Sequence, residues 1–168
     1  PQSPYAEIKL KEEKILKKNS KKIKFISLRF GTIAGVSHGM RFHTAVNKFC
    51  WQASMKLPIT VWSTAYDQKR PYLDLVDASR AICHIIRNNI YDGSINNVLS
   101  KNATVREVVE SIREFVPDLE VEFVNSKIMN QLSYEVLSER FGSKGFTPEG
   151  VLRRGINETI KLLNARIE

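Results

Sequence analysis

The sequence predicts an α/β fold, because strand-length apolar runs alternate with amphipathic helical segments and polar turn signals separate them. About five strands interleave with helices, a pattern that suits a partly parallel sheet. Parallel sheets are normally covered on both faces. The first strand follows the first helix, so the pattern leads one to expect further strands beside it, contributed from upstream.

In chain order, residues 4–18 set Tyr5, Ile8, Ile15 and Leu16 among charges, which predicts an amphipathic helix broken at Asn19 and Ser20. Lys24 to Phe30 reads as a buried strand. The stretch GTIAGVSHG, with Gly31, Gly35 and Gly39, reads as a loop. Phe42 to Lys56 is predicted helical and stops before Pro58. Ile59 to Trp62 and Tyr72 to Leu75 are short strands flanking a polar loop, Ser63 to Arg70. Asp77 is expected to cap a helix reaching about Asn88, with Ala81, Ile82, Ile85 and Ile86 as its buried stripe. Asn97 to Leu99 is a further strand. Thr104 with Glu107 has the capping-box spacing for a helix ending near Pro117. Glu120 to Val124 alternates as a strand, and Ser133 to Lys144 is a weakly patterned segment. Thr147 as cap and Pro148 in the first turn open a last helix through Ile156, Ile160 and Leu163.

The 168 residues suit one domain, and the 42% hydrophobic content can form a core. No apolar run approaches the ~20 residues of a membrane span. Lysines and glutamates interrupt the N-terminal region, so it has no signal-peptide pattern. A start at Pro1 rather than Met leads one to expect that something before it was removed. Cys50 and Cys83 sit in apolar helical patterns without paired-ligand spacing. Both are expected to be buried thiols in a reducing cytoplasm, with no metal site or disulfide framework. The net charge of +8 is concentrated in eight lysines between Lys9 and Lys24, opposed by Glu12 and Glu13. Lysines spread along an amphipathic helix form a solvated face, and no stacking aromatics or arginine stripe accompany them. No nucleic-acid partner is therefore expected.

Tyr5 and Lys9, four residues apart, share one face of the predicted first helix. An ammonium ~4 Å from a phenol favours the phenolate by ~4 kcal/mol at an effective dielectric of ~20. That interaction brings a group of ordinary pKa about 10 within reach of acid–base work near neutral pH. The pair by itself is common in lysine-rich helices, and its surroundings give it weight.

Ser3-Pro4-Tyr5-x-x-x-Lys9-x-x-x-Glu13 is followed by a strand ending Leu28-Arg29-Phe30-Gly31-Thr32-Ile33-Ala34-Gly35. Further on come Ile59 to Trp62, a polar loop, Arg70-Pro71-Tyr72-Leu73-Asp74-Leu75-Val76-Asp77-Ala78, and a closing GFTPEGVLRRGINETIKLL. In this order the segments resemble the extended short-chain dehydrogenase/reductase family, in its branch of NAD-dependent nucleotide-sugar epimerases and dehydratases. The resemblance covers essentially the whole chain. It implies the C-terminal part of a Rossmann-like fold with its substrate-binding subdomain. Residues 1–35 would carry the catalytic helix and the following strand, and residues 36–168 mainly the substrate-binding subdomain. The N-terminal NAD-binding half would be absent.

The resemblance implies that Tyr5 is the catalytic acid–base and that Lys9 holds the nicotinamide ribose and favours the phenolate. It puts Phe30 and Ile33 against the nicotinamide, Thr32 against the sugar nucleotide, Trp62 near the base and Arg70 on the substrate diphosphate. His43, just inside a predicted helix start, is read either as touching a phosphate through that helix's N-terminus or as an ordinary surface histidine. Thr32 stands where relatives use asparagine, and Pro71 where they use aspartate. A second diphosphate-binding arginine has no match around Asn130 to Tyr134. No G-x-G-x-x-G fingerprint occurs, and the Ser/Thr that assists the tyrosine in relatives would lie upstream. The expectation is therefore an NAD-dependent enzyme on a nucleotide sugar whose isolated 168-residue part is inactive. Relatives often form homodimers through helices that include the tyrosine-bearing one, but its lysine-rich face argues against a dry interface here, and the sequence leaves the oligomeric state open. The alternative is a non-catalytic module that binds nucleotide sugars or serves as scaffold.

Overall fold

A computed structural model describes residues 3–125 and 133–165 of the chain. Helix α1 (Pro4–Lys18) starts where Ser3 accepts the Ala6 N–H and Pro4 opens the first turn. Strands β1 (Ser27–Phe30) and β2 (Thr32–Ala34) follow, then α2 (Ala45–Ser54), β3 (Ile59–Trp62), β4 (Lys69–Asp74) and α3 (Leu75–Arg87). The order continues with β5 (Ile95–Val98), β6 (Lys101–Thr104), α4 (Val105–Arg113), β7 (Val121–Val124), α5 (Glu139–Gly142) and α6 (Leu152–Asn164).

The strands form three small sheets. β1 pairs with β5 and β3 with β7, both parallel, while β4 lies between parallel β2 and antiparallel β6. Helices α2, α4 and α6 pack together over one core, built from residues such as Val46, Phe49, Ile59, Val108, Ile112 and Ile156. A second core joins α3, β5 and α5 through Ala81, Ile85, Val98, Phe141 and Phe146. His84 completes it: its Nε2 lies 2.9 Å from the Lys144 carbonyl, and its ring meets Phe141 edge-on. No helix among the described residues is long and apolar enough to cross a membrane.

Several expectations are corrected here. The glycine-rich stretch contains β2, because Gly31 lets the chain press against β4; a Cβ there would lie 2.9 Å from the Pro71 carbonyl oxygen. α2 begins at Ala45 rather than near Phe42. Asp74, not Asp77, caps α3 by accepting the Val76 N–H at 2.8 Å. Asp77 is turned inward and takes the N–H groups of Glu149 and Gly150. Those two bonds hold the segment after Thr147 and Pro148 as a loop, and α6 starts later, at Leu152. Of the α3 stripe, Ala81 and Ile85 are buried, whereas Ile82 and Ile86 are exposed. Cys50 is buried, and burial pushes its thiol up to about 12, but Cys83 is exposed. α1 buries none of its residues, so its apolar positions Tyr5, Ile8 and Ile15 face outward.

Candidate functional site

Two cavities flank Gly31, one lined by Phe30 at the end of β1 and the other by Thr32 at the start of β2. The first, about 630 Å³, lies between α1 and β1 and is lined by Tyr5, Lys9, Glu13, Arg29 and Phe30. Tyr5, Lys9 and Glu13 fall at successive four-residue steps, so one face of α1 presents all three. The Lys9 ammonium lies 5.8 Å from the Tyr5 ring centroid and bonds Glu12 at 2.9 Å. That carboxylate holds Lys9 above its ordinary value. Tyr5 is 71% exposed. The Arg29 guanidinium grips Glu13 in a two-pronged bond, 2.7 and 2.6 Å, tying α1 to the strand that carries Phe30. The bond from Arg29 outweighs partial desolvation and lowers the Glu13 carboxyl.

The second cavity, about 490 Å³, opens among β2, β3, β4 and the start of α2. Thr32, His43, Trp62 and Arg70, which the sequence assigns to substrate, all line it. Thr32 and Tyr72 are register partners in the parallel β2–β4 pairing. Arg70 and Tyr72 lie two apart on β4 and so share a face. Trp62 ends β3 and is 42% exposed. The loop joining Trp62 to Arg70 is held by Arg106, which bonds Asp67 at 2.7 and 3.0 Å and lies over the Tyr66 ring at 4.4 Å. The Arg106 N–H also donates to the Tyr66 carbonyl at 2.9 Å. Arg70 bonds the Gln68 Oε1 and the Lys69 carbonyl, each at 2.7 Å, and lies 5.0 Å over the Tyr134 ring.

Ile33 lines neither cavity. It points away from Thr32, as alternation along β2 requires, and is 38% exposed. His43 is exposed and precedes the Thr44 N-cap rather than lying inside the helix. Sequence reasoning missed Lys48, Tyr72 and Tyr134, which also line the second cavity. Tyr72 had a readable signal, its two-residue spacing from Arg70 on one strand. Burial outweighs the nearby Arg70 charge and pushes its phenol up to about 12, so at neutral pH it is a hydrogen-bond donor. Lys48 lies one helical turn beyond Thr44, a relation visible only once the helix start is known. The stretch from Asn130 to Tyr134, where a second arginine was sought without a match, lies largely outside the described residues, and its last residue, Tyr134, lines the cavity. Among the described residues no group of His, Cys, Asp and Glu could hold a metal ion.

The model of the NAD dependent epimerase/dehydratase family matches residues 1–98. The chain belongs to that family. Its fold is similar to that of the Thermus thermophilus UDP-glucose 4-epimerase in complex with NAD, at 24% identity and a TM-score of 0.82, over 97% of this chain and 54% of that one. It is similar also to the Bacillus cereus UDP-glucuronic acid 4-epimerase in complex with UDP-glucuronic acid and NAD, at 18% identity and a TM-score of 0.84, over 99% and 54% of the two chains. A dTDP-glucose 4,6-dehydratase from Bacillus anthracis str. Ames, in complex with NAD, matches at 19% identity and a TM-score of 0.80, over 96% and 52%. The chain thus spans about half the length of these three structures.

Proposed function

We propose that this chain supplies the substrate site and the acid–base pair of an NAD-dependent epimerase or dehydratase acting on a nucleotide sugar. The observation that carries the reading is the junction at Phe30 and Thr32. Phe30 lines the cleft of Tyr5 and Lys9, Thr32 lines the cavity of Trp62 and Arg70, and two residues of extended chain span at most ~7 Å. A ligand anchored by its nucleotide in the second cavity therefore brings its sugar to the mouth of the first.

In this reading Trp62 faces the base, Arg70 forks onto the diphosphate, His43 adds a phosphate contact and Thr32 donates to the sugar. An exposed phenol and ammonium with an aromatic ring nearby fit the nicotinamide end of NAD. Lys9 would hold its ribose, and Phe30 would offer apolar surface, whereas Ile33 lies outside this cleft. NAD, when bound, takes up and returns a hydride. Tyr5 accepts the sugar hydroxyl's proton as that carbon is oxidised to the ketone, and gives it back on reduction. The UDP-glucuronic acid bound to the similar Bacillus cereus epimerase supports a nucleotide sugar as the substrate class, and the NAD bound to all three similar structures supports the cofactor.

Residues 1–35 form the catalytic helix and following strand in this scheme, and residues 36–168 mainly the substrate subdomain. These 168 residues hold no G-x-G-x-x-G turn, so the main surface for the dinucleotide would come from outside them. The chain alone is expected to show no turnover. The test is a Tyr5→Phe substitution in the complete reading frame, assayed with NAD and a panel of nucleotide sugars. A loss of about 100-fold or more in kcat with unchanged nucleotide affinity is expected. Turnover at the unsubstituted rate would overturn the role of Tyr5.

A further inference from the structure

We propose that Lys48 is a second cation on the diphosphate of the bound nucleotide, acting together with Arg70. The inference rests on the reading of the second cavity as a nucleotide-sugar site. Its basis is the charge of the lining. Lys48, His43 and Arg70 reach this cavity from α2, the preceding loop and β4, and no carboxylate is among the described residues that line it.

Several cations outside the cavity meet acids: Lys9 meets Glu12, Arg29 meets Glu13, Lys101 meets Glu107, and Arg106 meets Asp67. Lys48 is half-buried, and among the described residues no carboxylate lies within ion-pair distance of it. An ammonium partly withdrawn from water, in a concave and acid-free wall, raises the local potential for an anion. A diphosphate bound in the cavity would give it an anionic partner.

The chemistry of a diphosphate accounts for the set. One guanidinium fork engages oxygens of a single phosphate group, and a second phosphate requires its own donors. Lysine supplies a compact charge with three freely rotating donors, suited to oxygens whose directions vary. The neutral Tyr72 hydroxyl on the same wall adds a donor without charge. Thr44 and Ala45 also line the cavity, and the Thr44 hydroxyl turns to the Arg41 carbonyl instead of capping α2. The side chains of Lys48 and Arg70 carry the assignment.

Calorimetric titration of the protein with ADP, CDP, GDP, UDP and dTDP first identifies the base. The preferred diphosphate, its monophosphate, its nucleoside and inorganic pyrophosphate are then compared on the unsubstituted protein and on Lys48→Gln, Lys48→Arg and Arg70→Gln variants. Lys48→Gln is expected to weaken the diphosphate by about tenfold or more and to flatten the salt dependence of its affinity. Nucleoside affinity stays unchanged, and Lys48→Arg recovers most of the loss. If Lys48→Gln binds the diphosphate like the unsubstituted protein while Arg70→Gln does not, the role of Lys48 falls and the nucleotide site stands. If Lys48→Arg is as weak as Lys48→Gln, the charge is not what acts and the proposal falls. If no nucleoside diphosphate binds, or if pyrophosphate alone binds as tightly, the nucleotide reading itself falls and Lys48 with it.

Discussion

Asp77 has no exposed surface, yet it carries a charge. Burial pushes its carboxyl upward, but the Ser100 hydroxyl, the N–H groups of Glu149 and Gly150, and Arg80 together outweigh burial and leave it below its ordinary value. Gly150 is needed for this approach, since a Cβ there would lie 2.3 Å from the Cβ of Asp74. The group thus locks α3 and the loop before α6 together. A depressed carboxyl contributes stability that is fully present above its unfolded value of ~4 and is lost as pH falls through the lower folded value. Asp77→Asn is expected to cost on the order of 3 kcal/mol at pH 7, because four donors lose a charged acceptor. The penalty should shrink as the pH is lowered below ~4, as read by urea denaturation at several pH values. The sequence pointed to Asp77 as a helix cap. Its neighbour Asp74 fills that place, and the inward turn of Asp77 depends on partners 72 and 73 positions away that no local pattern reveals.

At the scale of elements, α1 shows how far local pattern reaches. Its span of residues 4–18 and its break at Asn19 were legible, and its apolar positions mark it as amphipathic, but none of them is buried. Periodicity reports that a face is apolar, and only tertiary context decides what covers it. The described ion pair from α1 to β1 is the fork of Arg29 on Glu13. Glu13→Ala is therefore expected to speed amide hydrogen exchange throughout α1 while leaving exchange in α2, α4 and α6 unchanged. Equal rates in α1 before and after substitution would mean that other contacts hold the helix. The capping box of α4 was fully legible, because Thr104 and Glu107 satisfy each other's backbone within one turn. β2 was hidden by its glycines: what makes it a strand is pairing with β4, a long-range relation.

At the scale of the whole molecule, the candidate site consists of two cavities that flank Gly31 and are built by distant segments. Residues 5–30 make one, and residues 32–134 make the other. All four residues expected to meet substrate fall in a single cavity, because β2, β3, β4 and the loop before α2 all lie beside it. Lys48 and Tyr134 escaped because their closeness to Arg70 is a property of folding alone. The account's central claim is that this cavity, and not another surface, receives the nucleotide. The groove along α3, about 590 Å³ and lined by Ser79, Cys83 and Arg87, is a natural control. The most direct measurement is a map of backbone and Trp62 indole chemical shifts in the labelled protein, titrated with the nucleoside diphosphate it prefers. The expected result is saturable shifts at Thr32, Thr44, Lys48, Trp62, Arg70 and Tyr72, with the α3 groove silent. Shifts confined to that groove, or none with any nucleoside diphosphate, would contradict the account.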